Sequence, residues 1–315
     1  MMPSSNRRLT LGFKLMSGFY GDRIGKDDVA ALAGNDKVPW GTLKFEEMVN
    51  SMGAQLLKSP VFAYWNSWGF SMTELLSDAV ALNFLLVSLK DWQRKDEPTD
   101  QRSGEFKQFM KNAIVLLDQS IYEYVTRQWR GAGDSKIAKN LEGLDTAPEV
   151  FAQVPEERWE RLANEVVDEG KIEGQTYLNP DPEKSYHRSA KALLAYCYVI
   201  ERLPAPSEVE RPVEVDHIIP RSTFRAAGRP EIKILCHHII NLAFLPKTPN
   251  IAKSEKRLID VPNGRLREQI SLYTDIPTVD FEKYSDPIHA QELNDFRGAK
   301  IKLTLTTSRR EMLGA

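Results

Sequence analysis

The sequence has little cysteine, no long apolar run and almost no net charge, and each shortage excludes something. Only two cysteines occur among 315 residues, Cys197 and Cys236. No disulfide framework can hold such a fold, and the usage fits a reducing cytoplasm. The longest apolar stretch, 79–89, is interrupted by Asn83 and falls well short of the ~20 residues that span a bilayer. The apolar stretch 9–19, after Arg7 and Arg8, contains Lys14 and leads to no clean small-residue cleavage site. No export signal is read there, no membrane is expected, and the expected location is the cytoplasm. A formal net charge of −2 argues against coating nucleic acid by charge alone. There is no internal repeat, no low-complexity tract, no Walker-type phosphate loop and no preferred Ser-His-Asp arrangement.

What is there is a globular composition, 42% hydrophobic and 27% charged, long enough for one large domain or two ordinary ones. The charge is unevenly placed. Residues 211–267 carry 11 Lys and Arg against 5 Asp and Glu, whereas residues 141–170 carry 9 acidic and 2 basic residues. The basic segment is suited to face phosphates; the acidic one reads as a solvated face.

Much of the first two hundred residues reads as helix. Ser71 and Glu74 suggest a capping box before the apolar run to Leu89. Phe106, Phe109, Ala113, Ile114, Leu117, Ile121, Tyr124 and Val125 recur at helical spacing and predict a long helix ending near Trp129. Trp159, Leu162 and Val166 mark another, and 186–203 one more before Pro204. These apolar stripes read as packing rather than as a cofactor site. The segment 129–135, with Gly131, Gly133 and Asp134, reads as a turn before it reads as a phosphate-facing nest. A linker is expected over 208–212, after Pro204 and Pro206.

The pattern then changes. Residues 213–219 alternate and are rich in β-branched types, so a strand is expected, stopped by Pro220. Residues 241–245 form a second short strand. Thr248-Pro249 reads as an N-cap and first helical position, with a helix from Asn250 to about Leu258. A C-terminal helix is expected around 293–312. The predicted fold is mainly α: a helical domain over 1–205, a small strand–strand–helix unit over 206–262, and C-terminal helices over 263–315 packing on the helical domain.

Four polar residues punctuate that small unit. Asp216 and His217 end the first strand, Asn241 opens the second and Asn250 sits in the first turn of the helix. Lys253 and Arg257 follow at three and seven residues, a spacing that shares one helix face. Phosphodiester hydrolysis needs a base for water and a cation for the extra charge on phosphorus. Neutral His217 is a suitable base. Asp216 and the Asn250 side-chain oxygen offer hard ligands of the kind Mg²⁺ takes. Neighbours on a strand point to opposite faces, so Asp216 and His217 diverge unless the strand end is distorted. Asn241 is placed to orient the imidazole, and Lys253, Arg257, Arg221 and Arg225 to contact phosphates. Cys236-His237-His238, with Cys197, invites a zinc reading, but no Cys-x-x-Cys pair supports it; these residues read better as the loop between the strands, with His238 near Asn241.

The stretches Asp216-His-Ile-Ile-Pro220-Arg-Ser222 and Asn241-Leu-Ala-Phe-Leu-Pro-Lys-Thr-Pro-Asn250-Ile-Ala-Lys253 resemble the HNH (ββα-metal) nuclease signature. They are similar to the HNH domain of RNA-guided CRISPR effectors, and closer to those of Gmr-type modification-dependent restriction enzymes and related phage-defence nucleases. The resemblance implies that His217 is the general base, Asp216 and Asn250 are ligands to Mg²⁺ (or Mn²⁺), Asn241 is the orienting residue and DNA is the substrate. The late position is Asn250 rather than His, which favours Mg²⁺ or Mn²⁺ over zinc. A looser similarity to the helical region of those enzymes runs over 106–203. The Asp-Gly-x-Gln-Arg type motif of their ParB-like nucleotidase domain is missing from the first hundred residues. Target sensing is then expected from a separate sensor or activator protein, and a double-strand break from two copies acting together. The alternatives are an RNase with the same centre and a non-catalytic nucleic-acid-binding adaptor.

Overall fold

Two serines start the long helices of the N-terminal half. The Ser77 hydroxyl accepts from the Val80 N–H (3.3 Å) ahead of the helix Asp78–Arg94. Ser103 accepts from the Phe106 N–H (3.0 Å) ahead of Gly104–Val125. Each satisfies an amide that the first helical turn leaves without a partner. The capping box expected at Ser71 is not formed. Its hydroxyl pairs with that of Thr73 (2.9 Å), and only one turn, Met72–Leu75, follows.

The structure, a computed structural model, describes residues 5–131, 133–146, 148–179, 181–211, 213–262 and 264–314. Ala132, Pro212 and Asn263, which share in the turn, linker and return to helix read from the sequence, lie outside the described residues. The described residues are mainly helical, with two small antiparallel sheets among them. Among the described residues no helix is long and apolar enough to cross a membrane.

Two compact units are present, residues 1–63 with 71–154, and residues 64–70 with 155–315. In the first, Asp78–Arg94 is central, packed by Ser5–Gly21, Gly104–Val125 and Gly133–Thr146. Val80, Leu86, Val87, Phe109, Leu117 and Ile121 are buried there, as their helical spacing requires. The turn read over 129–135 is seen only as far as Gly131, because Gly133, Asp134 and Ser135 already belong to the helix Gly133–Thr146. The preceding helix stops at Val125, Arg127 and Gly131 take positive φ, and Asp134 is paired with Lys14 (3.1 Å).

In the second unit the helix Arg188–Ile200 runs through the core, buried along nearly its whole length. It explains why the chain does not divide at residue 205. The Tyr198 hydroxyl donates to the Tyr273 carbonyl and accepts from the Phe244 N–H (3.2 Å), joining both sides of the expected boundary. Trp68 and Phe70 complete the same aromatic cluster, Trp68 lying 5.1 Å from Tyr198 and Phe70 4.9 Å from Phe244 between ring centres. The helix Glu156–Asn164 continues as the π-turn Glu165–Glu169. A hairpin then pairs β1 (Lys171–Ile172) with β2 (Gln175–Thr176) through Glu173 and Gly174, both at positive φ.

The second sheet pairs β3 (Glu214–His217) with β4 (Leu242–Leu245), with Asp216 opposite Ala243 and His217 opposite Leu242. The helix Lys247–Lys253 follows and packs on β3. It starts earlier and stops earlier than the sequence suggests. Its cap is remote: Glu210, in the turn Glu208–Glu210, accepts from the Thr248 N–H (2.7 Å). Ser254 at φ +46° ends it. Arg257 is therefore beyond the helix, exposed and paired with Asp260 (2.7 Å), not on a shared face with Asn250.

The C-terminal helices form as expected, over Ala290–Leu303 and Arg309–Leu313 with a π-turn between. Arg297 is fully buried, and its Nη1 donates to the Ile240 carbonyl and to that of Leu242 (3.0 Å). It fixes the backbone that leads into β4. Arg297→Leu is expected to lower unfolding free energy by about 3 kcal/mol, because two buried carbonyls lose their donor. A denaturant titration reads this directly; a loss below about 1 kcal/mol would show that those carbonyls find other donors.

Candidate active site

Strand β3 places three of the candidate polar residues. Glu214 and Asp216, two apart, share one face, and His217 is the last residue of the strand. A cleft of about 490 Å³ lies at that end, lined by Glu214, Asp216, His217, Arg221, Asn250 and Lys184 among others. Because the strand stops there, the cleft meets both faces, and Asp216 and His217 line it together. The helix Lys247–Lys253 brings Asn250 alongside, its Nδ2 donating to Glu214 Oε2 (3.0 Å).

Asp216 is mostly buried. Burial pushes its pKa above the ordinary carboxylate value, and the nearby Lys253 ammonium works in the opposite direction. Lys253 is 0% exposed, with Nζ 2.6 Å from Asp216 Oδ2 and 2.6 Å from the His217 carbonyl, to which it donates. It clamps the end of β3 from inside and has no open path to a phosphate, contrary to its expected role.

His217 Nε2 lies 3.1 Å from His237 Nδ1, and His237 Nε2 lies 3.0 Å from the Asp181 carbonyl oxygen. A carbonyl only accepts, so His237 carries its proton on Nε2 and presents a lone pair at Nδ1. His217 then donates from Nε2 and keeps its own lone pair on Nδ1. Burial, then the neighbouring His237 and the cations Arg221 and Lys253, hold the His217 pKa down to about 3. The ring is neutral throughout the physiological range.

Asn241 does not touch the imidazole. Its Oδ1 accepts from the Ile219 N–H (2.8 Å), and its Nδ2 donates to the carbonyls of Ile219 (3.1 Å) and Cys236 (2.9 Å). Both ends of the amide are used on backbone, so it positions the turn after His217 and the turn that carries His237. Arg221 and Arg225, both expected to contact phosphates, lie on the short helix Arg221–Ala226. Arg221 lines the cleft, whereas Arg225 is held between Glu183 (3.1 Å) and Glu255 (3.8 Å) and Arg229 lies outside the cleft lining. Much of the segment's positive charge is thus committed to partners within the protein.

The zinc reading of the sequence is also redrawn. His238 caps the turn Ile239–Asn241 through Nδ1, accepting from the Ile240 N–H (3.3 Å). Cys197 sits on Arg188–Ile200 and is not part of the cluster. His217, Cys236 and His237 come together instead. Sequence reasoning missed Glu214, Lys184 and the His237 pairing. Glu214 was signalled by its i−2 spacing from Asp216; the other two depend on the loop 181–187, for which no pattern exists. No family model, curated protein or solved structure matches the chain.

Proposed function

We propose that this protein is a metal-dependent HNH-type endonuclease that hydrolyses phosphodiesters in DNA, acting in anti-phage defence or restriction. The observation that carries the reading is the convergence of a neutral His217, the carboxylates of Asp216 and Glu214 and the amide of Asn250 on one cleft, by way of a strand pair and a helix.

The donor set suits Mg²⁺ or Mn²⁺. Asp216, Asn250 and Glu214 offer carboxylate and amide oxygens, the ligand type hard cations take. Such an ion, when bound, would neutralise the charge that builds on the phosphoryl and leaving oxygens. His217 takes a proton from water through Nδ1 as the water oxygen bonds to phosphorus and the bond to the leaving oxygen breaks; the leaving oxygen is protonated from solvent. An imidazole with so low a pKa is a weak base in the free protein. An anionic phosphate entering the cleft raises that pKa, so basicity rises with substrate bound. Arg221 and Lys184 are placed to receive the flanking phosphates. One base and one cation site address one strand, so a single copy nicks.

Supercoiled plasmid incubated with the full chain and Mg²⁺ or Mn²⁺ is expected to be nicked, and chelation to stop the reaction. Cleavage of a structured RNA but not of plasmid would move the substrate to RNA. Binding of nucleic acid without cleavage of either would overturn the enzymatic reading.

A further inference from the structure

Nothing in the proposed hydrolysis uses Cys236, yet its thiol is fully buried beside the two histidines. The ligand atoms of His217, Cys236 and His237 all lie within 4.8 Å of one another. The two imidazole nitrogens that face each other, His217 Nε2 and His237 Nδ1, are 3.1 Å apart. A tetrahedral zinc-type ion holding two nitrogens at about 2.0–2.1 Å separates them by roughly 3.4 Å. A few tenths of an ångström would admit it. His237 is already oriented as metal-binding histidines are, with its remote Nε2–H on a backbone carbonyl, that of Asp181 (3.0 Å). His217 lines the cleft, which gives an ion a route inward.

We infer that His217, Cys236 and His237 form a three-ligand site for a zinc-class ion, separate from the oxygen ligands at Asp216 and Asn250, and that its occupation switches the nuclease off. The switch follows from the tautomer. Without the ion, His217 donates from Nε2 to His237 and holds its lone pair at Nδ1. An ion bound at Nε2 displaces that proton, and the neutral ring then carries its one proton on Nδ1. The lone pair that would accept from water is gone. Cys236 loses its thiol proton to solvent as it ligates. The ligand set, one soft sulfur and two imidazoles, selects zinc-type ions over Mg²⁺.

The switch rests on the nuclease reading; the metal site does not. Co²⁺ is the probe, added to the chelator-treated full chain and followed by absorption. One equivalent is expected to give tetrahedral d–d bands and a thiolate-to-cobalt charge-transfer band. Cys236→Ser removes the charge-transfer band, with Cys236→Ala as a second variant should Ser disturb the buried site. His237→Ala weakens binding by at least about tenfold, a loss that even outer partners can cause. Cys197→Ser leaves the spectrum as in the wild type. A wild-type spectrum without a thiolate band, or one unchanged in both Cys236 variants, would overturn the site. In the second arm, equimolar Zn²⁺ in Mg²⁺ buffer is expected to slow plasmid nicking by about 10²-fold, the contribution of a general base, and chelation of the zinc to restore it. Undiminished nicking by zinc-loaded protein would overturn the switch alone. Absence of nicking by the metal-free protein in Mg²⁺ would remove the nuclease reading and the switch with it, while the cobalt spectrum still decides the site.

Discussion

His217→Ala is expected to lower plasmid nicking by about 10²–10⁴-fold, the usual contribution of a positioned base, while DNA affinity stays at the wild-type level. The separation of the two effects follows from placement. His217 lines the cleft as a neutral ring, whereas the cations facing the cleft are Arg221 and Lys184. Single-turnover nicking and filter binding on the same preparation read the two quantities. A parallel melting curve is needed, because the variant also removes the His237 partner. Loss of binding along with cleavage would mean that His217 holds the cleft together rather than acting on water. Full cleavage by the variant would move the base elsewhere.

Lys253→Met is expected to destabilise the protein by about 3 kcal/mol. Removing one partner of a buried ion pair leaves the other charge uncompensated, at a cost of about 3–5 kcal/mol. The lower end applies here because the Asp216 side chain keeps 18% exposure and so retains some water. Met matches the length of the lysine stem and fills its place, so packing is nearly conserved and the loss reports the charge. Adding Asp216→Asn should recover much of that stability, since no carboxylate is then stranded. Urea unfolding of the two single variants and the double variant measures the coupling. A cost below about 1 kcal/mol would place the pair in the class of solvated ion pairs and would return Lys253 to the phosphate-facing role that its spacing suggests.

Lys253 also shows where the sequence stops being legible. The alternation over 213–219 revealed β3, although the strand ends at His217 rather than at Pro220, because alternation is a local property of the backbone. The stripes from Phe106 to Val125 revealed their helix for the same reason. What went unseen was set by contacts distant in the chain. The start of Lys247–Lys253 is fixed by Glu210, thirty-eight positions before Thr248, so the local Thr248-Pro249 signal gave the wrong first turn. The burial of Lys253 depends on Asp216 across the β3–helix contact. The fate of Asn241 depends on three backbone groups that precede it in the chain, two at Ile219 and one at Cys236. Spacing identified the polar residues that gather near the cleft but not which of them face it. Lys253 and Asn241 proved to be fasteners, and Glu214 and His237 took up positions the pattern had not assigned.

Trp68 and Phe70 set an order in time. They lie early in the chain, yet the rings they rest on, Tyr198, Phe244 and Tyr273, emerge from the ribosome more than a hundred residues later. Arg297, which pins the entry to β4, comes later still. The cleft therefore cannot reach its final form on a nascent chain that has passed only Asn250. A pairing of such high sequence separation is slow to form and leaves aromatic surface uncovered meanwhile. A fragment beginning at residue 155 would carry every residue of the cleft and still lack its aromatic keystone. The segment that lines the cleft is short in sequence, but it is not portable: its geometry depends on chain far to either side of it.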